Sequence, residues 1–413
     1  MKKEEIYQFL YFGYVLNFEE ASAIDFIFNQ FDKTEYNLSG DSLIEKGIYV
    51  FQKSVEDNII PSAHHVVPLS GGLDSRAILG ALLGAGIKNK ITAITFGTPG
   101  TWDFEIGCRI AKKMRLNHEV LDLTKVPITQ KDLLQTANDS NSRIRVFNPF
   151  YDGLIRKKFG KDPLYWSGYM GGPLAGSHLP NPESQSWQEA IQQFCEENRM
   201  VRSIDLAPPD FQPNNALPKQ PWLPPDVLTF DEQLDFKIRQ QMCIPYILLT
   251  TGYRNISPFL HPEWVNFILR VPNEYRRGQY LYKKILLKAY PKLFSFPAKN
   301  NLGLPLNVPK WRMSLKRARL RLQSFGRKYL SRLPWGVLPW INYIDFDRGL
   351  LEREDLKTVV YENLQDLKRR QVVDWIDIDG IWKRHQARQG NYADALTLLA
   401  SLEINLKVKG QKK

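Results

Sequence analysis

One short stretch, Val66-Val67-Pro68-Leu69-Ser70-Gly71-Gly72-Leu73-Asp74-Ser75, limits what this chain can fold into more than any other. The apolar run over 66–69 predicts a buried β-strand. It breaks at Ser70-Gly71-Gly72, and the apolar residues of 76–83 predict a helix that starts at once. A strand, a glycine turn and a helix start together make a phosphate cradle. The glycines let backbone N–H groups approach an anion, and the helix N-terminus adds partial positive charge. Ser70 and Ser75 add hydroxyl donors. Asp74 is out of place beside phosphate unless a cation bridges the two, so it points to Mg²⁺. The competing reading is an ordinary strand-to-helix turn rich in Gly and Ser. The apolar strand directly before this turn favours a nucleotide site.

The surrounding pattern supplies the fold class. Residues 1–60 read as helical, with Ile44, Ile48, Phe51 and Val55 along one face and a stop before Pro61. After strand 66–69 come a helix over 75–86, with Gly84 and Gly86 as stop signals, and a strand over 91–96. A helix over 102–116 then turns Phe104, Gly107, Ala111 and Met114 inward, and a third strand covers 118–123. This alternation predicts right-handed crossovers and an α/β fold built on a doubly wound parallel sheet, with a mostly helical C-terminal part. Ligands of such sheets sit beyond the carboxyl ends of the strands, where the loops at Ser70 and Gly97 fall. Leu164-Tyr165-Trp166-Ser167-Gly168 reads as a further short strand entering a glycine loop over 168–176. Seven prolines between 205 and 226 predict an extended surface loop, either an active-site cover or a passive insertion. From Phe230 onward the chain reads as mostly helical. Its last helix, 392–404, places Ala395, Leu398, Leu399 and Leu402 on one face.

Composition excludes several classes. With 413 residues and 43% hydrophobic content, the chain can bury a large core. No uninterrupted apolar run approaches the roughly 20 residues of a membrane span, and Met1-Lys2-Lys3-Glu4-Glu5 does not open a signal peptide. Cys108, Cys195 and Cys243 form neither a CxxC pair nor a disulfide framework, so free buried thiols and a cytoplasmic location are expected. His64-His65 stands at a strand start and reads as structural. The net charge of +12 is local: nine Lys/Arg and no acid lie between Lys310 and Arg332, and without them the chain is near +3. Trp311, Leu315, Ala318, Leu322 and Phe325 recur at helical spacing, which predicts an amphipathic helix with a basic outer face. That face is either a solvated surface or a site for an anionic partner: a lipid surface, a polyanion or an acidic substrate carrier. No nucleic-acid recognition module accompanies it.

Taken together, these blocks resemble the asparagine synthetase family, including its β-lactam synthetase relatives. The resemblance implies an N-type ATP pyrophosphatase domain over 61–413, adenine nucleotide alpha hydrolase-like in fold, preceded by a helical connector over 1–60 with no glutaminase domain. It implies ATP and Mg²⁺ as cofactors. Leu69, Ser70, Gly71, Gly72, Leu73, Asp74 and Ser75 would hold the pyrophosphate part of ATP, with the metal on Asp74. Phe96-Gly97-Thr98-Pro99-Gly100-Thr101-Trp102-Asp103 resembles the adenine-side loop, with Phe96 near the base and Asp103 facing the phosphates. Ser167-Gly168 matches the third nucleotide loop. Ser257-Pro258-Phe259-Leu260 resembles the helix start after the substrate region, and Lys283 begins a helix leading to Pro291 and then Phe296-Pro297-Ala298-Lys299. Lys299 matches the lysine that stabilises charge during adenylation. The 382–407 pattern, with Trp382, His385 and Leu402, is similar to the family's end.

The chain departs from that family in four ways. A glutaminase half with an N-terminal nucleophilic cysteine is not expected, because the chain begins Met1-Lys2 and residues 7–60 resemble only the connector, with Tyr11-Phe12-Gly13-Tyr14-Val15 at its start. The residue after Ser167-Gly168 is Tyr169 where asparagine synthetases carry glutamate; β-lactam synthetases have tyrosine there, and a tyrosine–glutamate pair is their base. Tyr169 is therefore a candidate catalytic base beside Glu232 or Asp235, or else a packed loop aromatic. Gly172 aligns with the second Mg²⁺ aspartate. Arg254 and Ile256 replace an acid and an arginine, so the acid substrate need not be aspartate. The expected activity is amide-bond formation from a small or carrier-bound carboxylate and ammonia, an amine, or nitrogen from a separate glutaminase. The alternatives are a degenerate nucleotide-binding subunit and another reaction on the same loop, such as tRNA modification.

Overall fold

A five-stranded, all-parallel sheet organises the molecule, in the order β3-β2-β1-β4-β5. The structure, a computed structural model, describes residues 1–30, 34–37, 40–249, 252–329 and 337–411. The strands are β1 (His65–Pro68), β2 (Ile91–Gly97), β3 (Asn117–Asp122), β4 (Leu164–Trp166) and β5 (Arg254–Ile256). The chain builds outward from β1 to β3, then returns to the other side of β1 for β4 and β5. The winding direction therefore reverses between β1 and β4. Both faces are covered, which explains why the central strands read as unbroken apolar runs. Val67, Ala93 and Trp166 face one core, and their neighbours Val66, Ile94 and Tyr165 face the other.

The elements around the first turn fall where the sequence places them: helix Asp74–Gly84 follows β1, and helix Trp102–Met114 follows β2. β5 was not anticipated. Three residues are too few to show a period of two, and Arg254 on this edge strand is exposed. Its pairing nevertheless fixes the third loop, because Ser167 N donates to Ile256 O at 2.8 Å.

Residues 1–60 contribute helices Lys3–Phe12, Asp25–Gln30 and Gly40–Glu56, which pack into the two cores rather than standing apart from them. The inward face of Gly40–Glu56 is rotated from the expected one: Leu43, Gly47, Val50, Phe51 and Val55 are buried, while Ile44 and Ile48 sit half-buried at its rim. The last helix, Ala393–Gln411, is buried on nearly every side through residue 405, not on one face. Most of its buried polar groups are satisfied by protein partners, although Asn405 Oδ1 has none among the described residues. Thr397 and Ser401 hydroxyls donate one turn back, to Ala393 O and Thr397 O, and Glu403 accepts two bonds from Arg370 at 2.7 and 2.8 Å.

The proline-rich segment is irregular apart from one turn at Pro213–Ala216, but it is fastened to the body rather than merely extended. Leu206 and Leu217 are buried. Trp187 Nε1 donates to Pro218 O at 2.8 Å, and the buried Gln233 accepts from Trp222 N and Leu223 N. Prolines lack N–H donors, so side chains do this tethering. Helix Lys310–Tyr329 exists as expected and its Lys310, Arg312, Arg317, Arg319 and Arg321 are exposed, but the apolar stripe is exposed as well: Trp311, Leu315, Leu322 and Phe325 are not buried. Residues 330–332 of the basic stretch, and 412–413 of the basic C-terminal end, lie outside the described residues.

His65 is structural, as its position implied. It accepts from Trp166 Nε1 at 3.0 Å and bonds Ile60 O at 3.1 Å. All three cysteines are free; Cys195 is buried, and Cys108 and Cys243 are half-buried. Among the described residues no helix is long and apolar enough to cross a membrane.

Helix Trp102–Met114 approaches the sheet through Gly107, where a Cβ would lie 2.4 Å from Leu69 O and 2.7 Å from Thr95 Oγ1. Neither neighbour is the free end of a long side chain. Gly107→Ala should therefore destabilise the fold by about 2 kcal/mol or more despite its favourable helix propensity, read from the urea midpoint.

Candidate functional site

The loops after β1 and β4 stand side by side at the reversal of the sheet, the place where open parallel sheets leave a crevice. The first is the Ser70–Ser75 turn. Ser70 Oγ accepts from Gly72 N at 3.1 Å and lies 3.2 Å from Ser75 Oγ, so the two hydroxyls brace the turn itself. Leu69 and Leu73 are buried beneath it.

Arg76 holds this turn from below, a role that sequence reasoning did not assign. Its guanidinium is wholly buried. It donates from Nε to Gly72 O at 2.8 Å and from Nη2 to Gly71 O at 3.1 Å. Nη1 reaches Pro297 O at 3.1 Å, and the group lies 4.9 Å from the Phe294 ring centroid. Burial pushes its pKa down to about 10, which still leaves it a cation at neutral pH. No carboxylate hydrogen-bonds to it among the described residues. Its positive charge therefore adds to the anion-attracting field of the turn. The sequence signal was available: an arginine at the first turn of an otherwise apolar helix.

Over the turn lies Lys299. Its backbone N–H donates to Gly71 O at 2.9 Å, and its ammonium is bonded to Asp103 and to Asn342. Asp103 also accepts from Gly71 N at 3.2 Å. Lys299, Asp103 and the cradle are thus brought together from segments nearly two hundred residues apart. Phe96 leaves the carboxyl end of β2 on the same side. It stacks on Tyr343 with ring centroids 5.6 Å apart and planes 16° apart, and tilts against Tyr151. Thr98 Oγ1 donates to Tyr343 O at 2.6 Å, and Trp102 N donates to Pro339 O at 2.7 Å. Segment 339–343, including Asn342, was not foreseen as part of this neighbourhood.

Asp74 sits against the β4 loop. A Cβ on Gly168 would lie 2.9 Å from Asp74 Cβ, and one on Gly171 would lie 2.6 Å from Asp74 Cγ. Those two glycines make room for the carboxylate. Burial pushes its pKa up to about 6, although it accepts from Tyr282 OH at 3.0 Å and from the Gly172 backbone. A half-buried carboxylate with few donors fits a divalent cation, and Mg²⁺ is commonly held by one or two carboxylates plus phosphate oxygens and water. Gly172 offers no second acid: its space faces Ser177 and Gln279. Among the described residues no group of three acid, His or Cys side chains is placed to hold a metal.

Tyr169 does not join this group. It is buried, and its hydroxyl donates to Gln240 O at 2.5 Å. Burial, with the charge of Asp235 added, holds its pKa well above the ordinary phenol value. Its geometry gives no support to a base role. The acids considered as its partners are committed elsewhere: Glu232 pairs with the wholly buried Arg276 at 2.5 Å, and Asp235 pairs with His178 at 2.9 Å. Burial opposes ionisation of Asp235, but the His178 hydrogen bond and the charges of His178 and Arg239 hold its carboxyl below the ordinary range. Asp235 opens a π-helical stretch, Asp235–Gln240, which the sequence did not reveal. Lys283, inside helix Tyr280–Ala289 rather than at its start, donates to Gly278 O at 2.7 Å.

Beyond the β4 loop lies a cavity of about 690 Å³. Ser177 and His178 form its near wall, Arg145, Arg199, Arg202 and Arg239 give it positive charge, and Glu197, Asp231 and Asp235 give it negative charge. Ser177 N donates to Gly172 O at 3.0 Å, which joins this wall to the loop that encloses Asp74.

No family model matches this chain, and no curated protein matches it.

Two outcomes follow from the site's electrostatics. Folding raises the Asp74 carboxyl from its ordinary 3.8 to about 6, so its ionised form costs stability as pH rises through about 6. Asp74→Asn should therefore raise the thermal midpoint at pH 8, by the equivalent of about 3 kcal/mol at most, with the gain vanishing below pH 4. Arg76→Lys keeps the charge but cannot bridge three carbonyls. It should destabilise the fold by about 2 kcal/mol or more in urea titrations at neutral pH.

Proposed function

We propose that this chain is an ATP-dependent ligase that forms amide bonds in the manner of the asparagine synthetases, on an adenine nucleotide alpha hydrolase-like fold. The observation that carries the reading is the meeting of Lys299 and Asp103 with the Ser70–Ser75 turn, at the point where the sheet reverses. In this reading a carboxylate attacks the α-phosphorus of ATP and pyrophosphate leaves. Ammonia or an amine then attacks the acyl carbon of the adenylate, and AMP leaves with the bond electrons. The N-terminus of helix Asp74–Gly84 and the buried charge of Arg76 would attract the polyphosphate. Lys299, tethered between Asp103 and Asn342, supplies positive charge where the non-bridging oxygens become more negative. Mg²⁺ bound at Asp74 would neutralise charge on the phosphates.

The 690 Å³ cavity beside the β4 loop suits the acid and the amine. Its walls carry both signs of charge, which fits an amino-acid-like substrate better than a fatty acid or a nucleobase. With Tyr169 committed to Gln240, the His178–Asp235 pair is the better placed group to take a proton from an incoming amine. Nitrogen would come from ammonia, from an amine on the substrate or from a separate glutaminase, and the setting would be cytoplasmic. A second reading, a nucleotide-binding subunit without turnover, is favoured by one observation: Gly172 stands where a second metal-binding acid is expected.

Pyrophosphate exchange into ATP, run with pools of carboxylic acids including amino acids, tests both. Exchange with one pool is the expected outcome. Lys299→Ala should lower it by about 100-fold while Mg·ATP affinity and thermal midpoint change little. Mg·ATP binding with no exchange for any pool would establish the second reading, and failure to bind Mg·ATP would overturn both.

A further inference from the structure

Helix Lys310–Tyr329 carries an apolar stripe on the side facing away from the protein. Trp311, Leu315, Leu322 and Phe325 are 62%, 63%, 71% and 61% exposed. At 3.6 residues per turn they fall within a strip less than a quarter-turn wide. The less exposed positions are Met313, Lys316, Leu320 and Gln323, on the opposite side, and Gly326 at the edge of the stripe. Helices of this length normally bury the stripe and expose the charges; this one leaves both exposed.

Charge decides what the stripe meets. Lys310 and Arg321 flank it on one edge, and Arg312 and Arg319 on the other, each about a quarter-turn from its centre. The helix contains no acid, and none of the cations from Lys310 to Arg321 forms an ion pair among the described residues. A second copy of the same helix would bring like charges together along both edges. A nucleic acid would neutralise the arginines but leave Trp311, Leu315 and Leu322 in water. A bilayer with anionic headgroups satisfies both parts at once: the ring and the leucines enter the acyl boundary, and the flanking arginines reach phosphates in the same plane.

We propose that helix Lys310–Tyr329 seats this protein on an anionic lipid surface, lying in the plane of the interface. The proposal is independent of the ligase reading, since it needs neither nucleotide nor turnover.

Flotation of the full chain with phosphatidylcholine vesicles, and with vesicles mixing phosphatidylcholine and phosphatidylglycerol, tests it. Binding should be at least about tenfold stronger to the acidic vesicles and should weaken as salt is added. Leu315→Ser with Leu322→Ser leaves every charge in place and should cut binding about tenfold or more. Arg319→Gln with Arg321→Gln leaves the stripe in place and should cut binding to acidic vesicles by roughly tenfold or more. All four positions are exposed, so melting curves should match the parent. Emission that shifts to shorter wavelength on binding should be lost in Trp311→Phe. Absence of flotation, equal binding to neutral vesicles, or binding indifferent to the leucine pair would overturn the proposal. So would a dimer in sedimentation that the leucine pair dissolves, or tight capture by duplex DNA that the leucine pair leaves unchanged while vesicle binding is absent.

Discussion

Arg76 ties together the parts of this molecule that matter most for chemistry. One planar cation fills the space under the β1 turn and bonds the carbonyls of Gly71 and Gly72 on one side and of Pro297 on the other. The turn needs its carbonyls directed inward if its N–H groups are to face an anion. Gly71 O also accepts from Lys299 N, but the Gly72 and Pro297 carbonyls depend on this guanidinium for a side-chain donor. The same guanidinium also bonds the segment that delivers Lys299, alongside the direct Lys299 N–Gly71 O bond and the Asp103 contacts to both. Its desolvation is costly, and burial lowers its pKa accordingly. The carbonyls and the Phe294 ring offset part of that cost, and a polyphosphate above the turn would offset more.

Asp74 shows the same logic with the opposite sign. The loop after β4 closes over it only because residues 168 and 171 lack side chains, and the closure raises its pKa. A carboxylate in this state makes the empty protein less stable at neutral pH. Such groups are retained where function needs them. The site therefore places two carboxylates, Asp74 and Asp103, and two cations, Arg76 and Lys299, around one turn, with Asp103 already paired to Lys299.

The exposed basic helix and the nucleotide-like cradle share their supports. The chain leaves the site through the Ala298–Leu304 bridge, runs through helix Lys310–Tyr329, and returns to border the site again at Pro339, Asn342 and Tyr343. The segment that borders the glycine turn and the amphipathic stripe thus belong to one excursion of the backbone.

Much of this was legible in the chain itself. The unbroken apolar runs of β1 and β2, the glycine turn and the helix periods set the parallel sheet and the turn after its first strand, because those features depend on local sterics and on burial of both faces. β5 was not legible, since three residues carry no period. Nor was the burial of Ala393–Gln411 on nearly every side, because polar residues such as Thr397, Ser401 and Glu403 look like a solvent face until their partners are known. The spacing of Trp311, Leu315, Leu322 and Phe325 determined a stripe but not its direction, since periodicity defines a face without saying what covers it. Likewise the sequence determined that Tyr169, Glu232 and Asp235 were present. Only the tertiary structure decided that Gln240 takes the phenol, Arg276 takes one acid and His178 the other, because long-range pairing depends on which backbones meet in space.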